Sequence, residues 1–203
     1  MVEILSGELK NVDKKETLRY LGYWGVESLN GIESAYSECE KAALKAASPR
    51  ACYATFNVQA GEREGELNLG FAKVYSKNLY ANLTGCNKIA VFAATLGGEF
   101  DRLILKWEKL SPAKAVILQA MGAALIEQWC DKVNADISKK YKNTKPRFSC
   151  GYGDLDISLQ KDVFSALSVT KNVGICLNES YFMTPVKSVT AIVGILNEIK
   201  NQT

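Results

Sequence analysis

Apolar residues recur at intervals of three and four near the start of the chain, which is the spacing of one face of an α-helix. Between positions 27 and 47 this face consists of Leu29, Ile32, Tyr36, Cys39, Ala43 and Ala46. The pattern ends before Pro49, and helical geometry is disfavoured just before a proline. The sequence therefore predicts a helix over residues 27–47.

Three stretches before residue 100 have the composition of β-strands. Residues 51–58 are rich in aromatic and β-branched side chains, and residues 66–71 alternate apolar and polar positions after a glycine-containing turn. Together these two stretches predict a hairpin. The segment KIAVFAATL at 88–96 is apolar almost throughout, so it predicts a fully buried strand that ends at Gly97.

The final part of the chain contains three more strand-like stretches. They cover residues 173–177, 181–183 and 188–196. The last of these is apolar on both faces, and a strand that is buried on both faces is typical of the middle of a sheet. We therefore expect residues 188–196 to lie centrally in the sheet.

Helical patterns occupy much of the intervening chain. Shorter helices are predicted over residues 73–83, 99–109 and 158–167. The longest predicted helix has Ser111 as its N-cap and Pro112 in its first turn, and its periodicity continues past residue 133.

Helices and strands alternate irregularly, without the β-α-β repeat of a doubly wound fold. This order favours an α+β fold with a largely antiparallel sheet. The composition, 47% apolar and 23% charged residues, is that of an ordinary globular protein. We expect residues 1–203 to form a single domain.

The charge pattern argues against two classes of partner. The formal net charge is only +3, and the lysines are interspersed with acidic residues, so nucleic acid is not an expected partner. No window of about 20 residues is free of charge, so we expect no membrane-spanning helix. The opening MVEILSGELK does not resemble a secretory signal, and we expect a soluble, cytoplasmic protein.

The sequence contains no histidine, which removes the usual general base and the partner of serine and cysteine nucleophiles. Hydrolase triads are therefore excluded. The six cysteines form no C-x-x-C pair, so a zinc knuckle is not expected, and several of them lie in apolar runs. We interpret them as reduced residues that pack in the core.

One carboxylate is placed unusually on the longest predicted helix. At 100° per residue, Glu127 shares a face with Val116, Ala120 and Ala123. A glutamate at the edge of such a face is most simply a solvated residue, because glutamate is seldom fully buried. The alternative is an acid that contacts a ligand.

A second group of candidates lies in the glycine-rich segment that follows Pro146. Arg147 offers a planar guanidinium that can hold a carboxylate through two parallel hydrogen bonds. Gly151 and Gly153 flank Tyr152, so the backbone there can approach a ligand closely. A solvated arginine and a simple turn are the plainer interpretations, and Cys150, with no histidine to activate it, is expected to pack.

Four segments in this half of the chain occur in the order found in one known family. The sequence resembles the S-adenosylmethionine-binding activation domain of cobalamin-dependent methionine synthase. The matching segments are RFSCGYGD at 147–154, LQKDVFSAL at 159–167, GICLNES at 174–180 and MTPVKSVTAIVG at 183–194. The segment ALIEQW around Glu127 is similar to the helix that precedes them, and RYLGY at 19–23 and ATLG at 94–97 extend the resemblance weakly.

The resemblance implies a C-shaped α+β domain that binds S-adenosylmethionine and caps a cobalamin-carrying module during reductive reactivation. It implies a binding segment in which Arg147 holds the methionyl carboxylate and Gly151 and Tyr152 form the wall around the nucleoside, with Cys150 in the same segment. Glu127 occupies the position of an acid near the ligand. Since the chain has no histidine, cobalamin is expected on a partner protein.

Some positions depart from the family. The last strand has Val193 where an aromatic residue is expected, and Val186 and Lys187 stand where small residues are expected. Asp13 is one candidate for the acid that meets the ligand's ammonium group.

Three functions remain open from the sequence. One is an accessory subunit that assists remethylation of cobalamin on a separate methionine synthase, with flavodoxin or ferredoxin as the electron donor. The second is a capping or reactivation partner of another corrinoid methyltransferase. The third is a stand-alone enzyme in which Arg147 anchors a small anionic substrate and Glu127 acts on it.

Overall fold

The computed structural model describes residues 1–23 and 31–196. Within them the strands are β1 (Glu3–Ser6), β2 (Arg50–Asn57), β3 (Gln59–Ala60), β4 (Glu66–Asn68), β5 (Lys73–Tyr75), β6 (Cys86–Thr95), β7 (Cys176–Leu177), β8 (Met183–Thr184) and β9 (Ser188–Leu196). The helices are α1 (Lys14–Tyr20), α2 (Glu33–Ala46), α3 (Lys77–Asn82), α4 (Gly98–Leu110), α5 (Pro112–Tyr141), α6 (Gln160–Leu167) and α7 (Val169–Val173). A short 3₁₀ turn at Ile157–Leu159 leads into α6.

The central feature is a four-stranded sheet in the order β1-β2-β6-β9, in which every neighbouring pair is antiparallel. Successive side chains of a strand point to opposite faces. In β6, Phe92 and Ala94 face one hydrophobic core, whereas Ile89 and Val91 face a second core on the other side. The sheet is therefore covered on both faces, which explains why its strands are apolar almost throughout.

Four helices, α1, α2, α4 and α5, cover one face of this sheet. The 30-residue helix α5 lies at the centre of that layer, and it is buried on several sides through its middle. Gly122 permits this close packing, because a methyl group there would lie 2.6 Å from the ring of Phe100 on α4. Gly122 thus allows α4 and α5 to pack closely against each other.

The opposite face is covered by α3, α6, α7 and the segment around Phe148 and Cys150. A small three-stranded sheet, in the order β3-β4-β5, joins this layer. Strands β7 and β8 form a separate antiparallel pair. The two cores share the main sheet, and the candidate site residues of the glycine-rich segment belong to this second layer.

The predicted fold class, α+β with an antiparallel sheet, is confirmed, and so are the buried strand at 88–96 and the long helix after Ser111. Ser111 occupies the N-cap position, although its side chain makes no capping hydrogen bond. The predicted helix over 27–47 is observed as Glu33–Ala46, and its residues 27–30 lie outside the described residues.

Two predictions about strands are wrong. Residues 51–58 do not form a hairpin with 66–71, because β2 pairs with β1 and β6, and it is the short β3 that pairs with β4. Strand β9 is the last strand of the main sheet instead of a central one. Its apolar pattern reflects the two cores on its faces, and the backbone of residues 143–148 covers its outer edge.

Candidate functional site

The segment that carries Arg147 is attached to the main sheet through backbone hydrogen bonds. The N–H of Phe148 donates to the carbonyl of Ile192 at 2.8 Å, and the N–H of Ile192 donates back at 2.7 Å. One step along, the N–H of Lys145 donates to Gly194 at 2.8 Å. Arg147 therefore projects from backbone that is fixed to β9, and a site built on a rigid element keeps its geometry.

The chain then turns sharply through a loop that depends on two glycines. Gly151 has a φ of 81° and Gly153 a φ of 58°, both in the region that other residues rarely adopt. The loop closes with a 3.0 Å hydrogen bond from the N–H of Gly151 to the carbonyl of Leu155. A side chain at Gly153 would collide with Asn78 of α3, so the loop lies directly against that helix.

Asp154 fastens the same loop to the N-terminus of α3. Its carboxylate accepts hydrogen bonds from the Oγ of Ser76, from the N–H of Lys77 at 2.8 Å and from the N–H of Asn78 at 3.1 Å. The hydrogen bond from Ser76, together with these backbone N–H groups, holds the pKa of Asp154 below its ordinary value. Asp154 therefore holds the loop in a fixed position at the N-terminus of α3.

Between them lies an open cleft of about 670 Å³. It is lined by Asn78, Asn82, Pro146, Arg147, Phe148, Ser149, Tyr152 and Gly153. The ring of Tyr152 packs edge-on against Phe148 with ring centres 5.3 Å apart, yet 69% of the tyrosine remains exposed. The volume falls in the range of small-molecule sites, about 300–1,000 Å³.

Among the lining residues, Arg147 contacts two carboxylates of α5 through its guanidinium. Its Nη2 donates to Glu127 and its Nη1 donates to Asp131. The side chains are exposed to different extents: 26% for Arg147, 42% for Glu127 and 69% for Asp131. Burial lowers the pKa of Arg147, but the hydrogen bonds to Asp131 and Glu127 outweigh it and raise that pKa, so the group stays charged.

Comparison with known proteins decides the family. The model of the vitamin B12 dependent methionine synthase activation domain matches residues 45–200 of the chain. The chain belongs to this family. Among solved structures, its fold is similar to a crystal structure of the MetH reactivation domain bound to AdoHcy, with a TM-score of 0.76 and 16% identity over 98% of this chain and 80% of that one. Among curated protein sequences, nothing matches.

In this activation domain, the five predicted site residues occupy different positions. Arg147 and Tyr152 line the cleft, and Glu127 is joined to it through Arg147. Gly151 does not line the cleft; it faces Ile157, which would lie 2.9 Å from a methyl group at this position. Cys150 is buried in the second core, and this burial raises the pKa of its thiol to about 11, consistent with a packing role.

The positions that the sequence analysis expected to depart from the family do not line the cleft of this activation domain. Val193 is fully buried in the helix-side core, on the face of the sheet opposite Phe148. The N–H of Val186 donates to Asp101 of α4, and Lys187 reaches the carbonyl of Gln119 on α5.

Asp13 also makes its hydrogen bonds outside the cleft. It is the N-cap of α1, and its carboxylate accepts a hydrogen bond from the N–H of Glu16 at 2.9 Å. Its own N–H donates to Gln128 of α5. The residues that line the cleft do not include it.

Asn78 and Asn82 are cleft residues that the sequence analysis missed. They are one turn apart on α3, so both side chains face the Arg147 loop. Asn82 donates through Nδ2 to the carbonyl of Pro146 at 3.3 Å, and Asn78 accepts from the N–H of Asp154 at 3.2 Å. The spacing of two asparagines in KNLYAN was the available signal, but the sequence did not show what the helix faces.

Two features are missing from the described residues. Their helices include none with a hydrophobic stretch that could span a lipid bilayer. Within residues 1–23 and 31–196, the acidic and cysteine side chains form no cluster of three that could hold a metal ion.

Proposed function

We propose that this chain binds S-adenosylmethionine in the cleft beside Arg147 and assists the reductive remethylation of cobalamin held by another protein. The observation that carries the proposal is the ion pair between Arg147, which lines the cleft, and Glu127 of α5 directly behind it. A guanidinium is suited to the carboxylate of the methionyl group, and a neighbouring carboxylate is suited to its ammonium group. The pair thus complements a zwitterion.

The rest of the cleft fits a nucleoside. Tyr152 presents an exposed aromatic ring on which a purine can stack, and Asn78 and Asn82 contribute amide groups to the opposite wall. The cleft is open on one side, and Tyr152 remains largely exposed. A partner that covers this side would exclude water from the reacting groups.

The chemistry needs little from the protein. When bound, S-adenosylmethionine supplies an electrophilic methyl group, and reduced cobalamin is a strong nucleophile, so catalysis rests on placing the two in contact. A chain without histidine can perform this role, because no proton has to be removed by a general base. The electron for the reduction would come from a separate donor such as flavodoxin or ferredoxin.

The free cysteines support a reducing, cytoplasmic location for this function. Cys39, Cys52, Cys130 and Cys150 are buried thiols, and Cys176 is an exposed one. Exposed unpaired thiols are typical of compartments in which disulfides do not persist.

The binding step is tested by titrating the purified protein with S-adenosylmethionine and with S-adenosylhomocysteine in a calorimeter. Arg147→Ala is expected to weaken both affinities roughly 10- to 100-fold, the loss of charge-assisted hydrogen bonds. Arg102→Ala is the matched control, since Arg102 is also paired with a glutamate but lies on α4. Absence of saturable binding, or an equal loss in the two variants, would refute the proposal.

The reactivation step is tested with a cob(II)alamin-loaded methionine synthase that lacks its own activation domain. In the presence of a one-electron donor, the chain and S-adenosylmethionine are expected to restore the methylcobalamin absorbance. The same assay with other corrinoid methyltransferases identifies the class of partner. Turnover of a small substrate by the isolated chain would instead support a stand-alone enzyme.

A further inference from the structure

The geometry points to Asp131 as a displaceable carboxylate that occupies Arg147 until the carboxylate of the ligand replaces it. This inference rests on the proposed function and names a residue outside the predicted site. Asp131 lies one helical turn after Glu127 on α5, so both side chains reach the same guanidinium. Each takes a different terminal nitrogen, Nη1 for Asp131 and Nη2 for Glu127.

A third carboxylate beside Arg147 is electrostatically unfavourable. Arg147 already faces two negative charges, so a ligand carboxylate would add a third beside a single cation. Like charges at close range repel one another, and this repulsion would weaken binding. One of the two resident carboxylates therefore leaves Arg147 when the ligand binds.

The exposures of the two side chains indicate which one leaves. Asp131 is 69% exposed, whereas Glu127 is 42% exposed and its hydrogen bond is partly buried. An exposed ion pair contributes little, because water solvates its members almost as well when they separate. A partly desolvated carboxylate loses more when it is separated from its cation. Asp131 is thus the group that yields, and Glu127 remains to meet the ammonium group.

The inference makes a prediction that is specific to ligands with a carboxylate. Asp131→Asn keeps the shape of the side chain and removes its charge, so it is expected to tighten binding of S-adenosylhomocysteine roughly two- to fivefold, the range of an exposed ion pair. Binding of 5′-methylthioadenosine, which lacks the amino-acid moiety, is expected to stay unchanged. The gain for S-adenosylhomocysteine should shrink as ionic strength increases.

The matched control is Asp136→Asn. Asp136 is on the same helix, 51% exposed, and forms an ion pair with Lys139 at 3.1 Å. A general effect of removing one negative charge from α5 would appear equally in this variant. Tighter binding in Asp131→Asn alone supports the inference.

Other outcomes overturn it. Weaker binding in Asp131→Asn would show that Asp131 orients Arg147 for the ligand, and equal gains for both nucleosides would show an effect unrelated to the carboxylate. If the wild-type protein binds S-adenosylhomocysteine and Asp131→Asn does not change the affinity, only this inference fails. If neither protein binds it, the proposed function itself fails for the isolated chain.

Discussion

Gly153 joins the cleft loop to α3, and replacing it with alanine perturbs that junction in two ways. Its φ of 58° lies in the left-handed region, and an added methyl group would fall 2.5 Å from Oδ1 of Asn78. That oxygen accepts the N–H of Asp154 at 3.2 Å, so Asn78 must turn away and lose the hydrogen bond. The substitution therefore strains the backbone and also changes the wall of the cleft.

The two effects have different magnitudes. Left-handed geometry costs an alanine about 1–2 kcal/mol, offset by about 0.4–1 kcal/mol because alanine also restricts the unfolded chain. Loss of the hydrogen bond adds about 0.5–1.5 kcal/mol. Gly174→Ala is the matched control, because Gly174 has a φ of 75° with nothing within 4 Å of an added methyl group. It isolates the backbone contribution.

The assay is urea unfolding of both variants, supported by thermal melts. We expect Gly153→Ala to reduce the free energy of unfolding by about 1 kcal/mol more than Gly174→Ala, which corresponds to an additional ~2–4 °C in Tm for a chain of this length. In an Asn78→Ala background the excess should disappear, because the colliding oxygen is gone. Equal destabilisation by the two glycine substitutions would refute the proposed contact with α3.

Three further outcomes are expected. Because the fold lowers the pKa of Asp154, its ionised carboxylate stabilises the protein at pH values above the ordinary pKa of 3.8, and this stabilisation is lost as the pH falls through the lower folded pKa. The Tm difference between wild type and Asp154→Asn, measured by thermal melts from pH 7 to 3, should therefore narrow only at the acid end. Iodoacetamide at pH 8 should label the exposed Cys176 in the native protein and leave Cys150, with a pKa of about 11, unlabelled until urea is added. Mass spectrometry of the labelled peptides checks this, and labelling of Cys150 in the native protein would contradict its burial. Gly122→Ala should destabilise the protein in urea, since overpacking against Phe100 at about 1–3 kcal/mol exceeds the helix-propensity gain of about 1 kcal/mol, and a stabilised variant would contradict the close contact.

Burial on both faces was the property that the sequence revealed best. The apolar run at 88–96 and the long periodic stretch after Ser111 predicted β6 and α5, because both elements lie between two layers or several neighbours. Strand β9 shows the limit of the same reasoning. Side chains report what covers the faces of a strand, whereas its place in the sheet depends on backbone hydrogen bonds that any residue can make.

Apart from Glu127, the candidate site was predictable where its residues lie together in one short segment. Arg147, Tyr152 and their flanking glycines are contiguous, so composition and resemblance both indicated the loop. Asn78 and Asp131 belong to two helices outside this segment, α3 and α5. Their contribution depends on how α3 and α5 pack around the loop, which no local pattern encodes.

The hydrogen bonds that tie Phe148 to Ile192 also have a consequence for biosynthesis. Arg147 is synthesised well before β9, and β9 in turn pairs with β6, whose residues precede it by roughly a hundred positions. Contacts of such high sequence separation form late, after the intervening chain has been ordered. A nascent chain whose β9 is still inside the ribosome has Arg147 but no anchored cleft, so the cleft forms only when the sheet is complete.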